Sequence, residues 1–187
     1  SEIEEIIKRI EKLLRDDEKK IRDSIKRSED LLREANRENK ESIDRVRELL
    51  EKVKRLRERI DSEEVRERVE RVLREIERLL EEDRKRNEDI SRKNEKLLRE
   101  TEDESRKSIE TIKRLLEKVR TDSGDKKAEE EVRRLEKRVR DVLRELEKTL
   151  KRVTEVHKET TKENEKSARR VKREVEKVIE EVERTRT

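Results

Sequence analysis

Apolar residues recur along this chain with a step that alternates four and three. In the first sixty residues Ile3, Ile7, Ile10, Leu14, Ile21, Leu31, Ala35, Val46, Leu49, Val53, Leu56 and Ile60 fall on one stripe. Asp17, Ser24, Ser28, Asn39 and Ser42 occupy the remaining steps of the same stripe. That period belongs to a helix with one buried face and not to the two-residue alternation of a strand. Ile6, Leu13, Ile25, Leu32, Ile43 and Leu50 widen the stripe to about three positions in seven, which suits a helix packed against two others. Sixteen steps carry it from Ile3 to Ile60 at about 3.56 residues each, between the heptad and straight-helix values, so weak left-handed supercoiling is expected.

Two punctuation points divide the pattern. In "RIDSEEV" (59–65) the apolar spacing slips, Asp61 can cap a new helix, and Glu64 three residues on completes a capping box. In "TDSGDKK" (121–127) Gly124, the only glycine, can take the left-handed conformation that ends a helix, and Asp125 can cap the next. The spacing predicts helices near 2–59, 62–120 and 126–185, with loops near 60–61 and 121–125. Links of this length cannot return the chain along a whole helix, so a single all-α domain over 1–187 is expected, a long antiparallel up-down-up three-helix bundle with coiled-coil-like packing. The first link lacks both Gly and Pro, and its competing reading is a continuous helix through residue 61 that forms a domain-swapped dimer.

The helices echo one another. LLREANRENKESIDRVRELLEKV (31–53) aligns without gaps on LLRETEDESRKSIETIKRLLEKV (97–119), an offset of 66. Helix 3 follows helix 1 at an offset of 125, which matches Ala35 to Thr160, Asn39 to Asn164, Ser42 to Ser167 and Val46 to Val171. The loop positions suggest the same figure independently. Facing residues should sum to about 121 between helices 1 and 2 and to about 246 between helices 2 and 3, so helices 1 and 3 pair at their difference.

With that register the polar residues of the stripe gather into layers. Asn36 and Asn39 fall near Asp83 and Asn87 on helix 2 and near Thr160, Thr161 and Asn164 on helix 3. Ser24 and Ser28 fall near Asn94, with Thr149 and Thr154 close by, and Asp17 faces Ser105 and Ser108. His157, the only histidine, lies one step from the stripe near Ser91 and Asn87 and reads as an enclosed, hydrogen-bonded imidazole. Two readings fit these positions. In one, Asn36, Asn39, Asp83, Asn87, Thr160, Asn164, Ser28, Asn94, Thr154 and His157 form buried polar networks that penalise sliding and wrong pairing. In the other, the centre is merely hydrated and weak.

Composition narrows the chemistry. The chain is 60% charged and 26% hydrophobic, with no Phe, Trp, Tyr, Met, Cys or Pro. Such a charge load usually means disorder, but disorder leaves apolar residues without a period. Without cysteine there is no disulfide or thiolate site, and one histidine cannot build a His-based zinc or di-iron centre. The 58 basic and 54 acidic residues are interleaved, so neither a nucleic-acid face nor a membrane surface is expected, even at Arg169-Arg170-Val171-Lys172-Arg173. No apolar run is long enough for a membrane span or a signal-peptide core, which leads to the expectation of a soluble chain. Carboxylate pairs read as halves of i, i+4 ion pairs, no serine sits on a turn beside the histidine, and no Gly-rich phosphate loop exists. No catalysis, cofactor, metal or small-molecule ligand is expected, and a monomer is.

These features together resemble de novo designed, parametrically built three-helix bundles with buried hydrogen-bond networks. The likeness rests on the Ile/Leu/Val packing residues, the Glu/Lys/Arg surface, the Asp61–Glu64 cap, the DSGD loop at 122–125 and the near-repeated helices. It implies a structural protein without natural biochemical activity, a rigid helical rod whose polar layers set register. The alternative is a helical interaction module: a homo-oligomer, a swapped dimer or the receptor for a partner helix.

Overall fold

The computed structural model describes residues 1–186. Three helices carry nearly all of them: α1 (Glu2–Leu56), α2 (Glu63–Asp122) and α3 (Lys126–Arg186), with a 3₁₀ turn at Arg57–Arg59 after α1. Glu, Lys, Arg and Leu are strong helix formers, and proline, which would break an i→i−4 ladder, is absent from the chain. The chain is an all-α three-helix bundle.

Packing divides it into two compact units that draw on the same three helices. The first joins Ser1–Asp30 with Lys93–Val156, and the second joins Leu31–Arg92 with the chain from His157 onward. In the first unit Ile10, Leu14, Ile112, Leu135 and Leu146 are wholly enclosed. In the second, Val46, Val53, Ile76 and Val171 are enclosed and form the centre with Leu50 and Val69. Each such side chain contributes roughly 1.5–3 kcal/mol of transfer free energy, so the apolar clusters dominate the stability of both units.

Cross-helix pairs fix the directions inside each unit. In the first, Ser24 meets Thr101 while Ser28 meets Asn94, so α1 and α2 run antiparallel. Glu11 pairs with Arg134 and Glu18 with Arg138, offsets of 123 and 120, so α1 and α3 run parallel. In the second unit Arg57 pairs with Glu181 at an offset of 124, and Asn39 reaches Asn164 at 125, as the repeat between helices 1 and 3 suggests. The α2–α3 register differs from the loop arithmetic. Thr161 meets Ser91, whereas a sum of 246 would place it opposite Lys85. The offset between facing side chains is set by how the helices are rotated and staggered, which loop midpoints do not encode.

Both links depart from the expected chemistry. α2 begins at Glu63 and the Ser62 carbonyl accepts from the Arg66 N–H, so Ser62 and not Asp61 precedes the first turn. The first reversal needs no glycine because none of its residues takes a positive φ; Leu56 lies at φ −74, ψ −21 and Ile60 at φ −72, ψ −9. Arg66 Nε donates to the Ile60 carbonyl at 2.8 Å and Ile60 is buried, which fastens the turn from the α2 side. At the second link Asp125 Oδ1 accepts from the backbone N–H of Lys127 at 2.7 Å and of Ala128 at 3.4 Å, an N-cap as expected. Gly124, however, does not take a positive φ. The side-chain cap satisfies the new helix, and the turn is made without the left-handed residue.

Candidate functional site

The polar residues of the stripe are enclosed by geometry set on neighbouring turns. A helix places residues three and four apart on one face, so a Ser or Asn at a stripe position is carried inward with the Ile and Leu residues around it. Once inside, its polar atoms need partners, because an unpaired buried donor or acceptor costs about 1–3 kcal/mol.

In the first unit two pairs and one acid occupy these positions. Ser24 Oγ lies 2.6 Å from Thr101 Oγ1, and Thr101 Oγ1 also donates to the Leu97 carbonyl one turn back, at 2.8 Å, which leaves Ser24 as donor to Thr101. Ser28 Oγ donates to Asn94 Oδ1 at 2.5 Å, and Ser28 and Asn94 are both buried. Asp17 is 1% exposed, and burial is the main force raising its carboxyl above the usual carboxylate range, against a hydrogen bond from Ser108 and the charge of Lys20. Its Oδ2 and the Oγ of Ser105, one turn before Ser108, have no hydrogen-bond partner among the described residues. Thr154 is half-buried and spends its hydroxyl on the Leu150 carbonyl of its own helix. Its i−4 carbonyl is the nearest acceptor, and such back-bonding is the common outcome for a helical threonine.

The second unit has a larger cluster. Asn39 Nδ2 donates to Asp83 Oδ2 at 2.8 Å and lies 3.5 Å from the Asn164 carbonyl, so one α1 side chain reaches both α2 and α3. Arg86 extends the cluster outward. Its Nη2 donates to Ser42 Oγ at 2.6 Å and lies 3.8 Å from Asp83 Oδ1, and its Nε is 3.3 Å from Glu38 Oε2. Burial raises the Asp83 carboxyl, opposed by the hydrogen bond from Asn39 and by the Arg86 charge. Ser91 and Thr161 share a longer contact of 3.4 Å.

The structure brings Asn39, Asp83 and Asn164 together, and likewise Ser28 and Asn94. It does not bring in Asn36, which is exposed: Ala35 takes the inward position, and the next residue is turned by about 100° around the helix. Asn87 and Thr160 are half-buried and make no side-chain hydrogen bond among the described residues. His157 is buried, at 6% exposure. Sequence reasoning missed Thr101 and Arg86. Thr101 could have been found as the offset-66 counterpart of Ala35, a stripe position. Arg86 had only its i, i+3 spacing from Asp83 to mark it.

No set of three or more His, Cys, Asp or Glu side chains able to hold a metal occurs among the described residues. No described helix is long and apolar enough to cross a membrane. No family model and no curated protein matches the chain. A solved structure described as a "Computationally designed three helix bundle" superimposes with a TM-score of 0.73 at 20% identity, over 99% of this chain and 92% of that one. The likeness is one of fold. This three-helix bundle therefore resembles a designed bundle in backbone arrangement, and its polar clusters have to be read from their own geometry.

Proposed function

We propose that the chain is a designed structural protein without natural catalytic activity, whose buried polar clusters specify register and helix pairing. The observation that carries this reading is Asn39, whose side-chain amide reaches acceptors on α2 and α3 at once. An apolar stripe tolerates a slide by one heptad, since Leu meets Ile or Val in either register. A slide that takes Asp83 away from Asn39 leaves a buried carboxylate without its donor, which is the kind of penalty that separates one register from its neighbours. Ser28 with Asn94, and Ser24 with Thr101, add the same discrimination in the first unit.

The test is a variant in which Ser28, Asn39, Asp83, Asn94 and Asn164 are all changed to leucine. Sedimentation equilibrium on the parent should give one species at 23.0 kDa. The variant should resist denaturant at least as well yet distribute over several association states. A variant as monodisperse as the parent would remove the specificity role.

A further inference from the structure

In the second unit a cleft of about 870 Å³ opens between α2 and α3, bordered by residues 77–92 of one and 161–179 of the other. That volume lies within the range of small-molecule pockets. Its apolar lining comes from Leu80, Ala168, Val175 and Ile179, and Ala168 leaves room where a larger side chain would close the gap. Asn87, Ser91 and Thr161 also line the cleft, and two buried polar groups of opposite capacity border it. Asp83, 5% exposed, offers carboxylate acceptors, and Asn164, 7% exposed, has an Nδ2 donor with no hydrogen-bond partner among the described residues. Asn39 Nδ2 lies 2.8 Å from Asp83 Oδ2 and 3.5 Å from the Asn164 backbone carbonyl, so the two residues belong to the same layer of the unit. The terminal torsion of an asparagine is broad, so Nδ2 can turn toward the cleft without displacing the helix. Around the rim the basic residues Arg84, Arg92, Arg169 and Lys172 alternate with the acidic residues Glu77, Glu81, Glu88, Glu165 and Glu176, so the rim imposes little net charge on an occupant.

We propose that this cleft binds a neutral small molecule with an apolar body and a carboxamide edge. The ligand carbonyl accepts from Asn164 Nδ2, its N–H donates to the Asp83 carboxylate, and the body packs on Leu80, Ala168, Val175 and Ile179. An amide edge carries an acceptor beside a donor, which is the complement of a donor beside an acceptor. An anion would meet the Asp83 carboxylate, and a cation would leave Asn164 Nδ2 unpaired.

The probes are 2-naphthamide and, as the analogue without an amide, 2-methylnaphthalene, each followed by its fluorescence. The full chain should bind 2-naphthamide saturably at one site. Asn164→Leu should weaken that binding at least tenfold while leaving 2-methylnaphthalene within about twofold. Ala168→Phe, which fills the cleft, should abolish binding of both, and Val156→Phe, outside the cleft, should change neither. Circular dichroism at 222 nm checks that each variant is folded. No saturation up to the solubility limit, equal losses for the two probes in Asn164→Leu, or binding that survives Ala168→Phe would each overturn the proposal.

Discussion

Replacing Asp17 by asparagine should stabilise the protein at neutral pH and do nothing at low pH. Asp17 is 1% exposed, its Oδ2 has no hydrogen-bond partner among the described residues, and burial raises its carboxyl above the usual carboxylate range. A group whose pKa is higher in the folded state favours folding fully only below its unfolded pKa, and that contribution disappears as pH rises through the folded value. At neutral pH the wild type therefore holds an incompletely satisfied buried charge, whereas an asparagine side chain in its place has the same shape and no charge. The substitution removes the charge and not the polarity, and each pKa unit by which burial raises a carboxyl is worth about 1.4 kcal/mol once that carboxyl is ionised, so a gain on the order of 1 kcal/mol is expected at pH 7.5. Against a total stability of roughly 5–15 kcal/mol, such a gain lies well within reach of urea denaturation followed at 222 nm. The difference between variant and wild type should shrink as pH falls, because the wild-type carboxyl takes up its proton and becomes neutral as well. A destabilised Asp17→Asn at pH 7.5, or a difference that does not vary with pH, would refute the account of Asp17 as a poorly compensated buried charge.

Three further outcomes follow from the same structure. Asn39→Ala removes the donor of Asp83 and should destabilise by about 2–3 kcal/mol in urea, while the added change Asp83→Leu should recover much of the loss, as a double-mutant cycle would reveal. Gly124→Ala should raise stability by about 0.4–1 kcal/mol in thermal melts, because Gly124 has no positive φ and an added Cβ would meet nothing within 4 Å. Leu135→Ala, at a wholly enclosed position of the first unit, should cost about 2–5 kcal/mol, whereas Val156→Ala, 43% exposed, should stay within about 0.5 kcal/mol.

Much of this fold was legible in the sequence, and the reason is local. Helix formation and the choice of inward face follow from propensity and from a repeat that each turn states again, so Ile10, Leu14, Val46 and Val53 could be assigned to the core without coordinates. The helix ends were legible to within a few residues, and Asp125 caps where its position indicates. The match of Asn39 to Asn164 was legible too, because it depends only on a repeat offset.

What required the tertiary structure was the partner of each polar side chain. Rotation of a helix by one residue, about 100°, decides whether a side chain points inward, and so Ala35 is buried and Asn36 exposed. Thr154 chooses its own backbone, Thr101 and not Asn94 takes Ser24, and Arg86 reaches Ser42 from the edge of its helix. Such choices turn on ångström distances between helices, whereas a hydrophobic stripe tolerates shifts of that size. The cleft beside Asn164 belongs to the same class. A periodic pattern names the residues on a face, but the volume left between two faces depends on how close the helices come, and that is decided by the sum of all their side chains together.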